Sequence, residues 1–415
     1  MGAGVPNGDD GTKEGAHAGA SFGYVRRGAG IRATAVREAA RIRNRRILLC
    51  LLFVFPAVSF LILVGVFHNG VPSELPVMVC DQDGSSLSRR IVRMIDATRT
   101  IRVVSRVADP AEGMRHLQDG SSYAVILIPD NMERDVFRGT GGEVIAWSDG
   151  QWLLAESLIR NDLQRAVGTV SAGVEIRTRQ KKGDLPEQAV VQAEPIGIER
   201  HTLFNPNMNY LVYLLPGLIP AMLQILIIMA AVLAVGSEIR DGTAGEWVDA
   251  AGGSIWKALI GKLLPYAAHF LVVTLCMLAL LSAGFGVPCR GNALWIMAGS
   301  GAFVAACLGA AVALVAWTAN LRLATSLASF YSGPAFAFSG MTFPMIGMPP
   351  AGKIWGALLP LTHYLRLLVE QGIRGGPSSV ACGATAALLA FVVIGGLSVL
   401  RLGRIAGNPA YWGRT

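Results

Sequence analysis

Residues 211–235, LVYLLPGLIPAMLQILIIMAAVLAV, contain no charged side chain, and this run limits what the chain can become more than any other feature. At about 1.5 Å rise per residue such a run outreaches the roughly 30 Å hydrocarbon core of a bilayer, so it predicts a transmembrane helix. A charged island follows at once, SEIRDGTAGEWVDAAGGSIWKALIGK, and a second apolar run occupies 263–285. In the island Ile239, Thr243 and Trp247 recur at i+4 spacing along one side. Glu238, Arg240, Asp241 and Asp249 point elsewhere, and Gly252-Gly253 breaks the pattern. Glu246 lies close to the apolar row, so the stripe is imperfect. The spacing predicts one short helix over 238–248 lying at a membrane surface.

Four more apolar runs, at 47–67, 293–318, 323–343 and 380–402, bring the expected spans to six. An even number puts both termini on one side. The first run is too long for a cleavable signal and no small-x-small site follows it, so it reads as an uncleaved anchor. Orientation follows from Lys and Arg near the spans. With the termini in the cytoplasm, thirteen fall inside: six Arg between 31 and 46, then Arg240, Lys257, Lys262, Arg322, Arg401, Arg404 and Arg414. Only Arg290, Lys353, Arg366 and Arg374 fall outside. The net charge of +8 is thus mostly a topology signal, suited to an anionic inner leaflet and not to nucleic acid.

Residues 68–209 have the composition of a water-soluble domain. Apolar runs at 75–80, 101–107, 123–128 and 144–147 alternate with helical stretches at 86–98, 110–118, 131–138 and 152–179, which predicts a small α/β domain inserted after the first span. The fold class is therefore an α-helical integral membrane protein with six transmembrane helices plus a small extracytoplasmic α/β domain. The segments are a disordered basic tail (1–46), the first span (47–67), the outer domain (68–209), a membrane domain (210–402) and a short tail (403–415).

Several motifs fail on context. GASFG at 19–23 matches a serine-hydrolase elbow, but lies in a Gly/Ala tail with no strand before it and no helix after. Residues 347–353 fit GxxxxGK, yet Ile354 stands where magnesium needs Ser or Thr, and no strand precedes. Asp81 and Asp83 read as a strand-to-helix turn with Ser85 or Ser86 as N-cap, in preference to a metal pair. Of six cysteines only Cys80 and Cys289 lie outside spans, and no CxxC or Cys/His cluster suggests a structural metal. Within spans, Gln224 and His269 are the polar groups to watch. They fit a water-filled path or an interhelical hydrogen bond equally well. Small residues from Gly299 to Ala310 predict close packing of the fourth span.

The span, the Glu/Arg/Asp-Gly-Thr island and the Gly261-Lys262-Leu-Leu-Pro return into the membrane resemble the permease subunit of an ABC-2 type exporter. The later PLTHYLRLLVEQGIRG is similar to that family's exit segment, with Pro360, Leu361, Thr362, His363, Tyr364, Arg366 and Gly372 carrying the match and Glu370 lying within the same motif. In this resemblance 237–250 is a coupling helix docking on a separate ATPase through Glu238, Arg240, Asp241, Gly242, Thr243, Glu246 and Trp247. Trp247 would be the apolar anchor, with Glu238 and Glu246 steering at the rim. Exit-side helices would occupy 344–376. Glu370, four residues from both Arg366 and Arg374, permits ion pairing there. The family often has Pro between island and Gly-Lys where this chain has DAAGGS, which leaves the break of the coupling helix open.

The resemblance implies no catalysis and no cofactor in this chain. ATP-Mg would sit on the partner ABC ATPase, a second permease (homodimer or related subunit) would complete the pathway, and a periplasmic adaptor could meet the outer domain. The place would be a bacterial inner membrane, and the cargo an amphiphilic, drug-like or lipid-like molecule. Two alternatives come from other classes. A sensor with an outer ligand-binding domain needs a cytoplasmic output module, and only short inner loops are present. An ion-gradient transporter predicts inverted repeats and acidic residues within spans; no repeat is evident and the predicted spans lack Asp and Glu.

Overall fold

The computed structural model describes residues 30–138, 140–181 and 203–413; the GASFG motif and nearly all of the Gly/Ala tail lie outside them. The described chain opens with α1 (Ile31–Asn44), breaks at extended Arg45 and enters α2 (Arg46–Phe67). Within α2 the winding is π-helical at Cys50–Val54, immediately before Pro56. A proline there has no N–H for the Leu52 carbonyl four residues back, so the backbone is open to an outside donor at that point.

The domain that follows alternates β1 (Leu75–Asp81), α3 (Ser86–Asp96), β2 (Ile101–Arg106), α4 (Pro110–Gln118), β3 (Ala124–Ile128), α5 (Met132–Arg138), β4 (Ile145–Ser148) and α6 (Leu153–Lys181). The strand order is β2-β1-β3-β4, parallel for the first three and antiparallel for β4. Side chains alternate across β1 as the pleat requires. Val77 and Val79 meet α3 and α6 on one face, while Met78 and Cys80 meet Val107 and Leu117 on the other. The Asp81 carboxylate accepts from Gly84 N and Ser88 Oγ, and Ser85 Oγ caps α3 by accepting from Ser88 N at 3.0 Å. Asp81 is thus spent on the turn. Cys80 is buried in the sheet and Cys289 exposed, and both are free thiols.

The rest is helical: α7 (Tyr210–Arg240), α8 (Ala244–Ala250), α9 (Ile255–Phe285), α10 (Ala293–Thr318), α11 (Leu321–Ser332), α12 (Pro350–Ala357), α13 (Pro360–Leu368) and α14 (Ser378–Ala406). Among the described residues five helices (α2, α7, α9, α10 and α14) are long and apolar enough to cross a membrane. In α7 and α10 about two thirds or more of the most apolar window is buried, against about a fifth in α9 and α14. Hence α7 and α10 form the centre, and the others turn side chains such as Leu61, Val272 and Leu397 outward, as lipid contact requires. Where α10 crosses α14, a Cβ on Gly395 would fall 2.4 Å from Gly309 Cα. The two backbones touch, which is the close packing that the small residues of α10 predict.

The expected fifth span, 323–343, is not one continuous helix. The α-helix stops at Ser332, and Pro334 lies in a single 3₁₀ turn at Gly333–Phe336 followed by irregular chain. A proline there denies the helix a donor and crowds the preceding turn. The segment nevertheless runs beside α7 for most of its length. Leu321 packs on Gly236, and Phe336 and Met341 pack on Gly217, two glycines separated by about 28 Å of helix.

Candidate functional site

The island is two pieces rather than one helix over 238–248. Helix α7 runs through to Arg240, and Gly242 turns the chain at φ 71°, a left-handed conformation that glycine takes without penalty. Helix α8 then occupies Ala244–Ala250 and ends before Gly252 and Gly253, both at positive φ.

The groups around it are tied to a helix some 200 residues earlier. Gly261 has no side chain where α1 crosses α9; a Cβ would lie 2.5 Å from the Ile31 carbonyl oxygen. That crossing brings Glu38 of α1 down onto Lys262, which is fully buried and donates to Glu38 and, at 2.7 Å, to Glu238. Tyr266 Oη donates to Glu38 at 2.8 Å. Glu238, also fully buried, accepts from Arg37 at 3.0 Å, from Arg41 and from Thr243. Arg41 continues to Ser237 Oγ at 2.8 Å, and Asp241 takes Arg45 at 2.6 Å and Arg240 at 2.8 Å. A buried charge is tolerated when it is paired and hydrogen-bonded, and this network gives Lys262 two carboxylates and each of the two buried glutamates a cation.

Asp241 closes the network at its exposed end. Burial alone would raise its carboxyl, but hydrogen bonds from Arg240 and Arg45 outweigh burial and hold it below the usual carboxylate range. A depressed carboxyl contributes its stability above its unfolded pKa and loses it as pH falls through the folded one, so the Asp241 link is complete at neutral pH and fails only in acid.

Trp247 faces inward. It is fully buried, its Nε1 donates to the Ala258 carbonyl at 3.0 Å, and the Lys262 ammonium lies 5.5 Å from its ring centroid. An enclosed side chain offers no surface to a partner, so the expectation of Trp247 as docking anchor is corrected: it braces α8 against α9. Glu238 likewise cannot steer from a rim, because it is enclosed. The exposed charges from the Gly242 turn through α8 are acidic, Asp241, Glu246 and Asp249, and Lys257 is the exposed cation at the start of α9. At the back, Gly413 N donates to the Ile239 carbonyl at 3.1 Å and Trp412 packs against Gly245.

At the opposite end of α7 lies the segment built around α13. Pro360 opens that helix, and Gln224 of α7 caps it by accepting from Leu361 N at 3.0 Å. Tyr364 stacks on Phe303, centroids 4.3 Å apart, and its hydroxyl meets Ser300 at 2.7 Å. His363 donates to the Ala357 carbonyl at 2.9 Å. Glu370 pairs with Arg374 at 2.7 Å, while Arg366 is exposed and takes no part in that pair. His269 donates to the Leu52 carbonyl at 2.7 Å, the oxygen that Pro56 leaves without its helical donor. Both Gln224 and His269 therefore make interhelical hydrogen bonds, and the structure brings neither into contact with the charged island.

The GxxxxGK stretch folds as a 3₁₀ turn at Met345–Gly347 followed by α12. Among the described residues no group of three or more His, Cys, Asp or Glu is arranged to hold a metal. The residues that sequence reasoning missed are Arg37, Glu38, Arg41 and Arg45. Their signal was a lone acid on the Thr34/Ile42 face of an otherwise basic helix.

Long apolar helices that expose apolar side chains around a tightly packed pair define a multi-pass membrane protein. The family described as ABC-2 family transporter protein matches residues 45–400, and the chain belongs to that family. Membership makes it a permease component of an ABC transporter and implies an ABC ATPase as partner. The match begins at Arg45, so α1, which locks the island, precedes it. No match is found among curated proteins.

Proposed function

We propose that the chain is the membrane subunit of an ATP-driven exporter of amphiphilic, drug-like or lipid-like molecules, energised by a separate ATPase with its own ATP-Mg and working beside a second permease. The observation that carries this reading is an acidic exposed face on α8, whose other face is fixed by Trp247 and by the Glu238–Lys262–Glu38 network. A rigidly held helix passes on a push, because packed interfaces switch between arrangements instead of yielding gradually. In this mechanism ATP binding draws two ATPase subunits together, each moves an island docked in its groove, and α7 and α9, continuous with the island at either end, shift the pathway between inward- and outward-open forms.

The sixth crossing is made by α11, its 3₁₀ turn and the irregular segment to Met341, which together flank α7 over about a bilayer thickness. Both termini and the island then face the cytoplasm, and the α/β domain faces outward, where it could meet substrate or a periplasmic adaptor in a bacterial inner membrane. The α/β-domain side of the chain meets α7 at Tyr210, whose N–H donates to the Gly70 carbonyl at 2.7 Å, whereas the island joins at Arg240. In a background with the native cysteines removed, Gly150→Cys should react in intact cells with an impermeant thiol reagent. Asp249→Cys should react only after permeabilisation. The reverse labelling would overturn the orientation and the exporter reading with it.

A further inference from the structure

A cavity of about 640 Å³ opens at the end of the helical bundle opposite the island, between the start of α7, the Ser339–Ile346 segment and the outer face of α13. Its walls are mainly apolar, with Met341, Met345, Ile346 and Ile373 among them, and its size falls within the roughly 300–1,000 Å³ of small-molecule sites. Most polar groups on the wall are already engaged. Asn205 bonds the Asn209 backbone, Tyr213 the Met341 carbonyl, Ser339 the Phe336 carbonyl and His363 the Ala357 carbonyl, and Glu370 holds Arg374.

Two remain. Thr362 is only 6% exposed and its hydroxyl has no partner among the described residues. Arg366, one helical turn further along the same face, is exposed and forms no ion pair among them. A buried hydroxyl without a partner is costly, and a guanidinium beside it presents donors in a fork that suits carboxylate or phosphate oxygens. Arg374 is balanced by Glu370, so the uncompensated charge of the wall is the cation of Arg366. Flexible methionine side chains suit tails of varied shape.

We propose that this cavity binds an amphiphile with an acidic head group, the head held by Arg366 and Thr362 and the apolar tail by Met341, Met345, Ile346 and Ile373. The inference names the ligand chemistry of one site and is tested by binding alone, so it stands or falls separately from the exporter reading. The acidic head could belong to a bilayer lipid or to a single-chain molecule in transit.

The test uses the purified full-length chain in nonionic detergent, titrated with a fluorescent long-chain fatty acid and with its methyl ester. The acid should bind and the ester bind at least about tenfold more weakly, since hydrogen bonds to a charged group contribute that much or more. Arg366→Gln should weaken acid binding about tenfold and Thr362→Val about threefold, the valine being of similar shape and leaving the fold intact. Lys353→Gln, on the same side but off the cavity wall, should change nothing. Displacement of the fatty acid by short-chain phosphatidylglycerol assigns the site to a bilayer lipid, and failure to displace assigns it to a single-chain amphiphile. Equal binding of acid and ester, native affinity in Arg366→Gln, or an equal loss in Lys353→Gln would each overturn the proposal.

Discussion

Replacing Lys262 by Met should lower the folding stability of the isolated permease by about 3–5 kcal/mol, the range for breaking one partner out of a buried ion pair. The side chain is fully buried between Glu38 and Glu238. Glu238 would keep Arg37, Arg41 and Thr243, but Glu38 would keep only the Tyr266 hydroxyl. The penalty therefore sits on Glu38. It follows that Lys262→Met with Glu38→Gln should recover most of the loss, because exchanging a whole buried pair for neutral groups is often close to neutral. Denaturant or thermal unfolding of the detergent-solubilised variants measures both. A single-variant loss below about 1 kcal/mol, or no recovery in the double variant, would mean that the pair is solvated.

Trp247→Ala should also cost about 3–5 kcal/mol, as large-to-small changes of enclosed aromatics do. The indole fills the space between α8 and α9 and satisfies the Ala258 carbonyl. The loss should appear in the permease purified without any ATPase. An anchor that inserted into a partner would leave the isolated permease unchanged and weaken only the complex, so an unaltered melting temperature would restore the docking role to this residue.

The α/β domain was legible almost element by element because strand and helix periods differ along a polar chain. Predicted strands at 75–80 and 123–128 meet observed Leu75–Asp81 and Ala124–Ile128, and the predicted helix at 110–118 coincides with Pro110–Gln118. Long apolar helices were equally plain, and 293–318 is matched to the residue. Hydropathy counts apolar residues but not hydrogen-bond donors, so it carried the fifth span past Gly333-Pro334, where the helix stops. It also hid the two-piece island, since i+4 spacing continues through Gly242 although the backbone does not.

The deeper failure was at long range. Arg37, Glu38 and Arg41 pair with residues about 200 positions away, and ion pairs of that separation leave no local pattern. Reading 31–46 as a topology signal accounted for its charge while missing the one acid that is buried, Glu38. Trp247 was misassigned for a related reason: a tryptophan at the edge of a charged island has the same local pattern whether it faces a partner or its own helix. Thr362 and Arg366 came with the exit motif, but only the geometry separates them from the engaged polar groups beside them.

The central claim is that the acidic face of α8 is where the ATPase engages. The direct measurement is co-purification of the ABC ATPase with a permease carrying Glu246→Lys and Asp249→Lys, together with ATP hydrolysis by the recovered complex. Both side chains are exposed, and surface changes of this kind shift stability by only about 0.5 kcal/mol, so the permease itself should melt as the native protein does. The account predicts that the ATPase is lost from the purified variant and that coupled hydrolysis falls with it. Full retention of the partner with undiminished hydrolysis would contradict it.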